Sequence, residues 1–146
     1  MIIFSKLCNI FIHLTMKSIH RILLVEDDID DQYLFCDAAN LIRPKIKYRI
    51  ANNGIEAIKM LNEQLPFDLI FMDVNMPKMD GFECLKYLKN SNGFKHIPVI
   101  MLTTSNHPND IDKCKQLGAA SYFIKPATFR ELFQKIDGII SQGICQ

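Results

Sequence analysis

Between residues 21 and 140 the apolar positions fall into two alternating kinds of segment. Short runs rich in Val, Ile, Leu and Phe recur at RILLV (21–25), FDLIFM (67–72) and IPVIML (97–102), and ASYFI (120–124) reads as a further strand. Continuous apolar runs of this length are strands covered on both faces. IKYRI (46–50) alternates apolar with polar, as an edge or half-buried strand does. The intervening segments carry apolar residues at helical spacing. These are Leu34, Ala38 and Leu41, then Ile55, Ile58, Leu61 and Leu65, then Leu85 and Leu88. Ile111, Cys114 and Leu117 follow, and finally a long stripe of Phe129, Leu132, Phe133, Ile136, Ile139 and Ile140. Punctuation agrees with the periodicity. Pro44 stops the first helix and Gly118 the fourth, Asn52–Asn53–Gly54 makes a turn, and Asp80 and Thr128 stand at N-cap positions.

Five strands alternating with five helices predict an α/β fold with a parallel sheet and right-handed crossovers. The expected architecture is a three-layer, doubly wound, five-stranded sheet of order 2-1-3-4-5, flavodoxin-like. One domain is expected over 19–143, preceded by an extension at 1–18. In MIIFSKLCNIFIHLTMKSIH the apolar stretches are too short to span a bilayer and lack the order of a signal peptide. Met16 opens MKSIHRILLVEDD, which runs straight into the first strand. Residues 1–15 are therefore expected to be a poorly ordered extension or a misassigned start, with a membrane-surface helix the minority reading.

Charge changes the picture by exclusion. The chain has 17 basic and 16 acidic residues, a net charge of +1, and no basic block, so a nucleic-acid partner is not expected. Cys8, Cys36, Cys84, Cys114 and Cys145 are odd in number and form no CxxC pair. His13, His20, His96 and His107 show no metal-ligand spacing. Small buried thiols in a reduced, cytoplasmic protein fit better than a disulfide framework or a zinc site.

In a doubly wound sheet, sites form outside the carboxyl ends of the strands. Glu26, Asp27 and Asp28 follow the first strand, Asp73 the third, Thr103, Thr104 and Ser105 the fourth, and Lys125 the fifth. The second ends without charge in Ala51–Asn52–Asn53. Clustered carboxylates with open positions suit Mg2+, which binds through a few carboxylates, a carbonyl and waters. A carboxylate beside such an ion can be a ligand or a nucleophile toward phosphorus. An opposing lysine and a hydroxyl would complete the surroundings of a transferred phosphoryl group.

LLVEDD, MDVNMPKMDG, MLTT and SYFIKP, in that order, resemble the signatures of CheY-like response-regulator receiver domains. Asp73 and Thr103 are 30 residues apart, and Thr103 and Lys125 are 22 apart. The resemblance covers residues 20–141. It implies that Asp73 is the phosphoacceptor, Asp27 a direct Mg2+ ligand, and Glu26 its acidic partner acting through water. Asn75 would offer its backbone carbonyl to the metal. Thr103 would be the switch hydroxyl, Lys125 the lysine that contacts the phosphoryl group, and Tyr122 the switch aromatic. Lys125–Pro126 would be a cis peptide, and Pro77 and Gly81 would shape the loop after the acceptor. Ser105 and the Asn75 side chain would tune dephosphorylation. Asp28 is read as a helix-cap acid, and Thr104 and Ser105, on their own residue types, as loop polar groups.

The resemblance further implies a single-domain response regulator of a two-component phosphorelay. Its donor would be a histidine kinase or histidine phosphotransfer protein, and it would signal through the face formed by 110–117, 120–124 and 128–141. The loop from Asn92 to Ile111 is similar to that of receivers paired with phytochrome-type kinases. Downstream target and homodimerisation through 110–141 stay open. Two other readings compete: a phosphorylation-independent receiver-like scaffold, and a Mg2+-dependent aspartyl-nucleophile phosphohydrolase. The latter usually wants a second acid two residues after the nucleophile, where this chain has Asn75. A flavodoxin-like binding module would want a Ser/Thr/Gly-rich loop where this chain has Glu26–Asp27–Asp28.

Overall fold

The computed structural model describes residues 18–63 and 65–142; the expected extension, apart from Ser18, lies outside the described residues. The strands are β1 (Arg21–Val25), β2 (Lys47–Ala51), β3 (Leu69–Asp73), β4 (Val99–Thr103) and β5 (Ser121–Ile124). They alternate with α1 (Ile29–Ile42), α2 (Gly54–Asn62), α3 (Gly81–Asn90), α4 (Pro108–Gln116) and α5 (Phe129–Gln142). All strand pairs are parallel, in the order β2-β1-β3-β4-β5, as the alternation predicts.

Successive strand residues point to opposite faces, so each central strand feeds two cores. Leu23, Val25, Ile70, Met72, Val99 and Met101 pack under α2, α3 and α4 with Ala57, Leu61, Leu85, Leu88 and Cys114. Ile22, Leu24, Leu69, Phe71, Ile100 and Leu102 pack under α1 and α5 with Phe35, Ala38, Ala39, Ile136 and Ile140. Phe35 and Phe71 meet edge-to-face at 4.8 Å between ring centroids. Burial on both faces explains why β3 and β4 read as unbroken apolar runs.

Two helical faces differ from expectation. In α1 the buried positions are Phe35, Ala38 and Ala39, whereas Leu34 and Leu41 are exposed. The alanines let α1 lie close to the sheet beside α5, and close packing, not side-chain size, sets the face. In α2, Gly54, Ala57 and Leu61 are buried while Ile55 is exposed; Leu65 lies beyond the helix end and is also exposed. Gly118 terminates α4 as expected, with φ of +91°, a conformation that costs glycine little.

Asp80 begins α3 with a reciprocal capping box. Its Oδ1 accepts from Glu83 N at 2.9 Å, and Glu83 Oε2 accepts from Asp80 N at 3.2 Å. Asp80→Ala should cost about 1 kcal/mol, read as a lower urea midpoint at unchanged slope. An unchanged midpoint would show that the box contributes nothing.

Candidate functional site

The strand ends converge as the topology requires. Glu26 continues β1, its N–H donating to Ala51 O at 2.9 Å, and its side chain is buried. Its Oε1 accepts from Asp28 N at 3.1 Å. Asp28 is the N-cap of α1, accepting from Asp30 N and Asp31 N at 3.0 Å each, so the cap reading of this acid holds. Asp27 stands between them, exposed. Gln32 ties the site's far wall together, donating to Glu26 O at 2.7 Å and Asn52 Oδ1 at 3.0 Å.

Asp73 is the last residue of β3 and only 5% exposed. The loop after it doubles back: Val74 N donates to Leu102 O at 3.0 Å, and Gly81 N to Val74 O at 2.9 Å. Lys78, at the turn of this loop, has φ of +67°. Asn75 and Pro77 are exposed on its outer side. Thr103 ends β4 fully buried, its Oγ1 accepting from Ser105 N at 3.1 Å.

Lys125 follows β5 and is held to the sheet by donation from its N–H to Thr103 O at 2.7 Å. Its Nζ lies 2.6 Å from Glu26 Oε2, 2.8 Å from Asp31 Oδ2 and 3.4 Å from Asp73 Oδ1. Burial alone would lower this ammonium's pKa, but the bonds to Asp31 and Glu26 and the charge of Asp73 raise it above the ordinary lysine value. It is therefore a permanent cation. Burial is also what pushes Glu26 up to about 7, against the Lys125 hydrogen bond, with the Asp73 charge adding to the rise. Burial likewise raises Asp73, against the pull of Lys125.

Glu26, Asp27 and Asp73 bring carboxylate oxygens within 4.8 Å of one another. An all-oxygen anionic set of this kind fits a hard divalent cation. Three acids this close repel, and the Lys125 ammonium, protons or a metal can offset them.

Around Thr103 lies a hydrogen-bonded relay. Tyr122 OH donates to Ser105 O at 2.5 Å, and Ser105 Oγ bonds Asp110 Oδ2 at 2.7 Å. The β4–α4 loop is thus clipped to β5 and to the first turn of α4. Ser105 is more than loop polarity, a role invisible until Tyr122 and Asp110 are brought to it. Asp31 was likewise missed. Its signal was weak: it lies one helical turn beyond Asp27 in the run EDDIDD, but its partner Lys125 is 94 residues away. Thr104 is exposed. Among the described residues no peptide bond is cis, so Lys125–Pro126 is trans, contrary to expectation. The tertiary amide before proline leaves the two isomers close in energy, and sequence alone does not choose between them.

Known proteins share this fold. The chain is 32% identical over 126 residues to the response regulator Rcp1 of Synechocystis, covering 82% of this chain and 86% of Rcp1. The Mn2+-bound structure of Rcp1 superposes with a TM-score of 0.78 at 31% identity, over 86% of this chain and 94% of that one. The phosphorylated cyanobacterial phytochrome response regulator RcpA also gives 0.78, at 33% identity, over 84% of this chain and 91% of that one. A probable cyclic di-GMP phosphodiesterase of Vibrio cholerae is 30% identical over 88% of this chain, which spans only 29% of its length. The family profile for the response regulator receiver domain matches residues 22–137, from the first core strand into the last helix. A match of that extent, on a sheet whose strand ends gather these acids around one lysine, makes this chain a member of the response regulator receiver domain family.

Proposed function

We propose that this receiver domain accepts a phosphoryl group on Asp73 from a histidine kinase or histidine phosphotransfer protein and thereby switches a protein-binding face. The observation that carries the reading is Asp73 itself: a nearly buried carboxylate at a strand end, facing a fixed ammonium and two further acids. An unpaired structural aspartate there would be costly; a nucleophile needs this rigid and reachable place.

Asp73 Oδ attacks the phosphorus of the donor, the bond from phosphorus to the donor's nitrogen breaks, and an acyl phosphate forms. Glu26, Asp27 and Asp73, with the backbone carbonyl of Asn75, are the residues that would hold Mg2+. That ion, when bound, supplies charge stabilisation at the phosphoryl oxygens. Lys125 offers an ammonium to a second oxygen and Thr103 a hydroxyl to a third. Thr103 turning to the phosphoryl group gives up its bond from Ser105 N, and the clip from Ser105 to Tyr122 carries that change to β5. The face of α4, β5 and α5 then moves between two populations. Likeness to RcpA supports a phytochrome-type kinase as donor. The reading leaves no place for metabolic turnover: the exposed amide at Asn75 is no general base for hydrolysis, so the domain promotes only its own phosphorylation and dephosphorylation.

Intact mass spectrometry with a small acyl phosphate donor tests this. Wild type should gain one phosphoryl group only with Mg2+ present, and Asp73→Asn should gain none. Equal labelling of that variant would place the acceptor elsewhere. No labelling of wild type would favour the scaffold reading.

A further inference from the structure

We infer that Asp31 is a positioning residue that draws the Lys125 ammonium away from Asp73 in the unphosphorylated domain, and so restrains phosphorylation. The inference rests on the phosphoacceptor reading of Asp73. An ammonium has three protons to give. Two of its contacts, to Glu26 at 2.6 Å and Asp31 at 2.8 Å, are charge-assisted hydrogen bonds of full strength. The contact to the acceptor is 3.4 Å, beyond that range. Lysine is thus poised on Glu26 and Asp31, not on the residue that will carry the phosphoryl group.

The two competitors differ. Glu26 belongs to the acidic set that fits a divalent cation, so its share of the ammonium falls when a cation takes its charge. Asp31 lies outside that set and keeps its hold. Its place is fixed by the start of α1, where its own N–H is bound by the Asp28 cap at 3.0 Å. The ordinary role of an acid in a first helical turn is to complement the helix dipole. Asp30, beside it in the same turn and exposed, provides the comparison for that role.

Asp31→Asn removes the charge and keeps the shape. With a small donor and Mg2+, its phosphorylation should be about five- to tenfold faster than wild type, a barrier change of roughly 1 kcal/mol. Asp31→Glu should return the slow rate, and Asp30→Asn should leave it unchanged. In a Lys125→Met background, adding Asp31→Asn should change the rate less than about twofold, because pairs that act through one contact are not additive. A second readout needs no phosphorylation: the 15N resonance of the Lys125 ammonium should shift with Asp31→Asn and not with Asp30→Asn. A rate for Asp31→Asn equal to or below wild type overturns the inference. So does acceleration that persists without Lys125, which would mean the lost charge acts on the incoming donor directly, or an unmoved Lys125 resonance. If wild type itself takes no phosphoryl group, the acceptor reading fails first; these other outcomes, with wild type labelled, defeat Asp31 alone.

Discussion

Gly81→Ala is expected to cost the domain about 3 kcal/mol, near the upper end of ordinary overpacking penalties, and to slow phosphoryl acceptance at Asp73. Gly81 opens α3, and its N–H donates to Val74 O. A Cβ built there would overlap the Asp73 carbonyl oxygen and come within 2.9 Å of the Val74 Cα. These are backbone atoms of a buried strand end, and no rotamer change relieves the clash. Either α3 lifts, opening the core around Leu85 and Leu88, or the end of β3 shifts and takes the Asp73 side chain with it. The comparison is Gly138→Ala in α5, where nothing lies within 4 Å of the added carbon. That change should stabilise by roughly 0.5–1 kcal/mol through helix propensity alone. Urea unfolding measures both, and labelling with a small phosphodonor reads the acceptor. A loss under about 1 kcal/mol in Gly81→Ala, with labelling at the wild-type rate, would show that the close approach is not what requires glycine.

The same glycine marks what was legible in the sequence. Gly81 could be assigned to the loop after the acceptor, but the atoms that exclude a side chain belong to a strand eight residues earlier. Strands were easiest to read because burial on both faces leaves an unbroken apolar run, as in β3 and β4. The acids, Thr103 and Lys125 followed from topology, since a parallel sheet delivers all its carboxyl ends to one edge, whereas Asn75 and Tyr122 came only from the family resemblance. Helical faces were read less well. In α1 the alanines that fit against the sheet carry less apolar signal than Leu34 and Leu41, which are exposed. Contacts between distant elements were not legible at all. Nothing local tells Asp31 that Lys125 will arrive beside it, or Ser105 that it will join Tyr122 to Asp110. The Lys125–Pro126 isomer failed for a related reason, being decided by surroundings and not by the dipeptide.

Stability of the metal-free domain should fall as pH rises from the ordinary carboxylate range to about 7, and Mg2+ should reverse that loss. Glu26 supplies the sign. Burial moves its pKa from 4.5 to about 7 in the folded chain, so the folded state holds a proton that the unfolded state releases. A group raised in this way contributes stability that is fully present below 4.5 and is lost as pH climbs through about 7. Asp73, also raised by burial, acts in the same direction. Glu56 acts oppositely: its pKa is lowered, first by the Asn52 N–H, so its contribution fails only as pH drops below the carboxylate range, outside this window. The loss from Glu26 is on the order of 3 kcal/mol. A metal held by Glu26, Asp27 and Asp73 needs them ionised, so its affinity rises over the same window. At a hundredfold excess over its Kd it would return about 2.7 kcal/mol. Urea midpoints at about pH 5.5 and about pH 8, with and without Mg2+, measure both effects. Glu26→Gln should flatten the metal-free profile and weaken the response to Mg2+ at the higher pH. Stability that rises with pH in the absence of metal, or an equal gain from Mg2+ at both values, would mean that the acids are already ionised below neutrality and that Lys125 alone, not a proton, balances them.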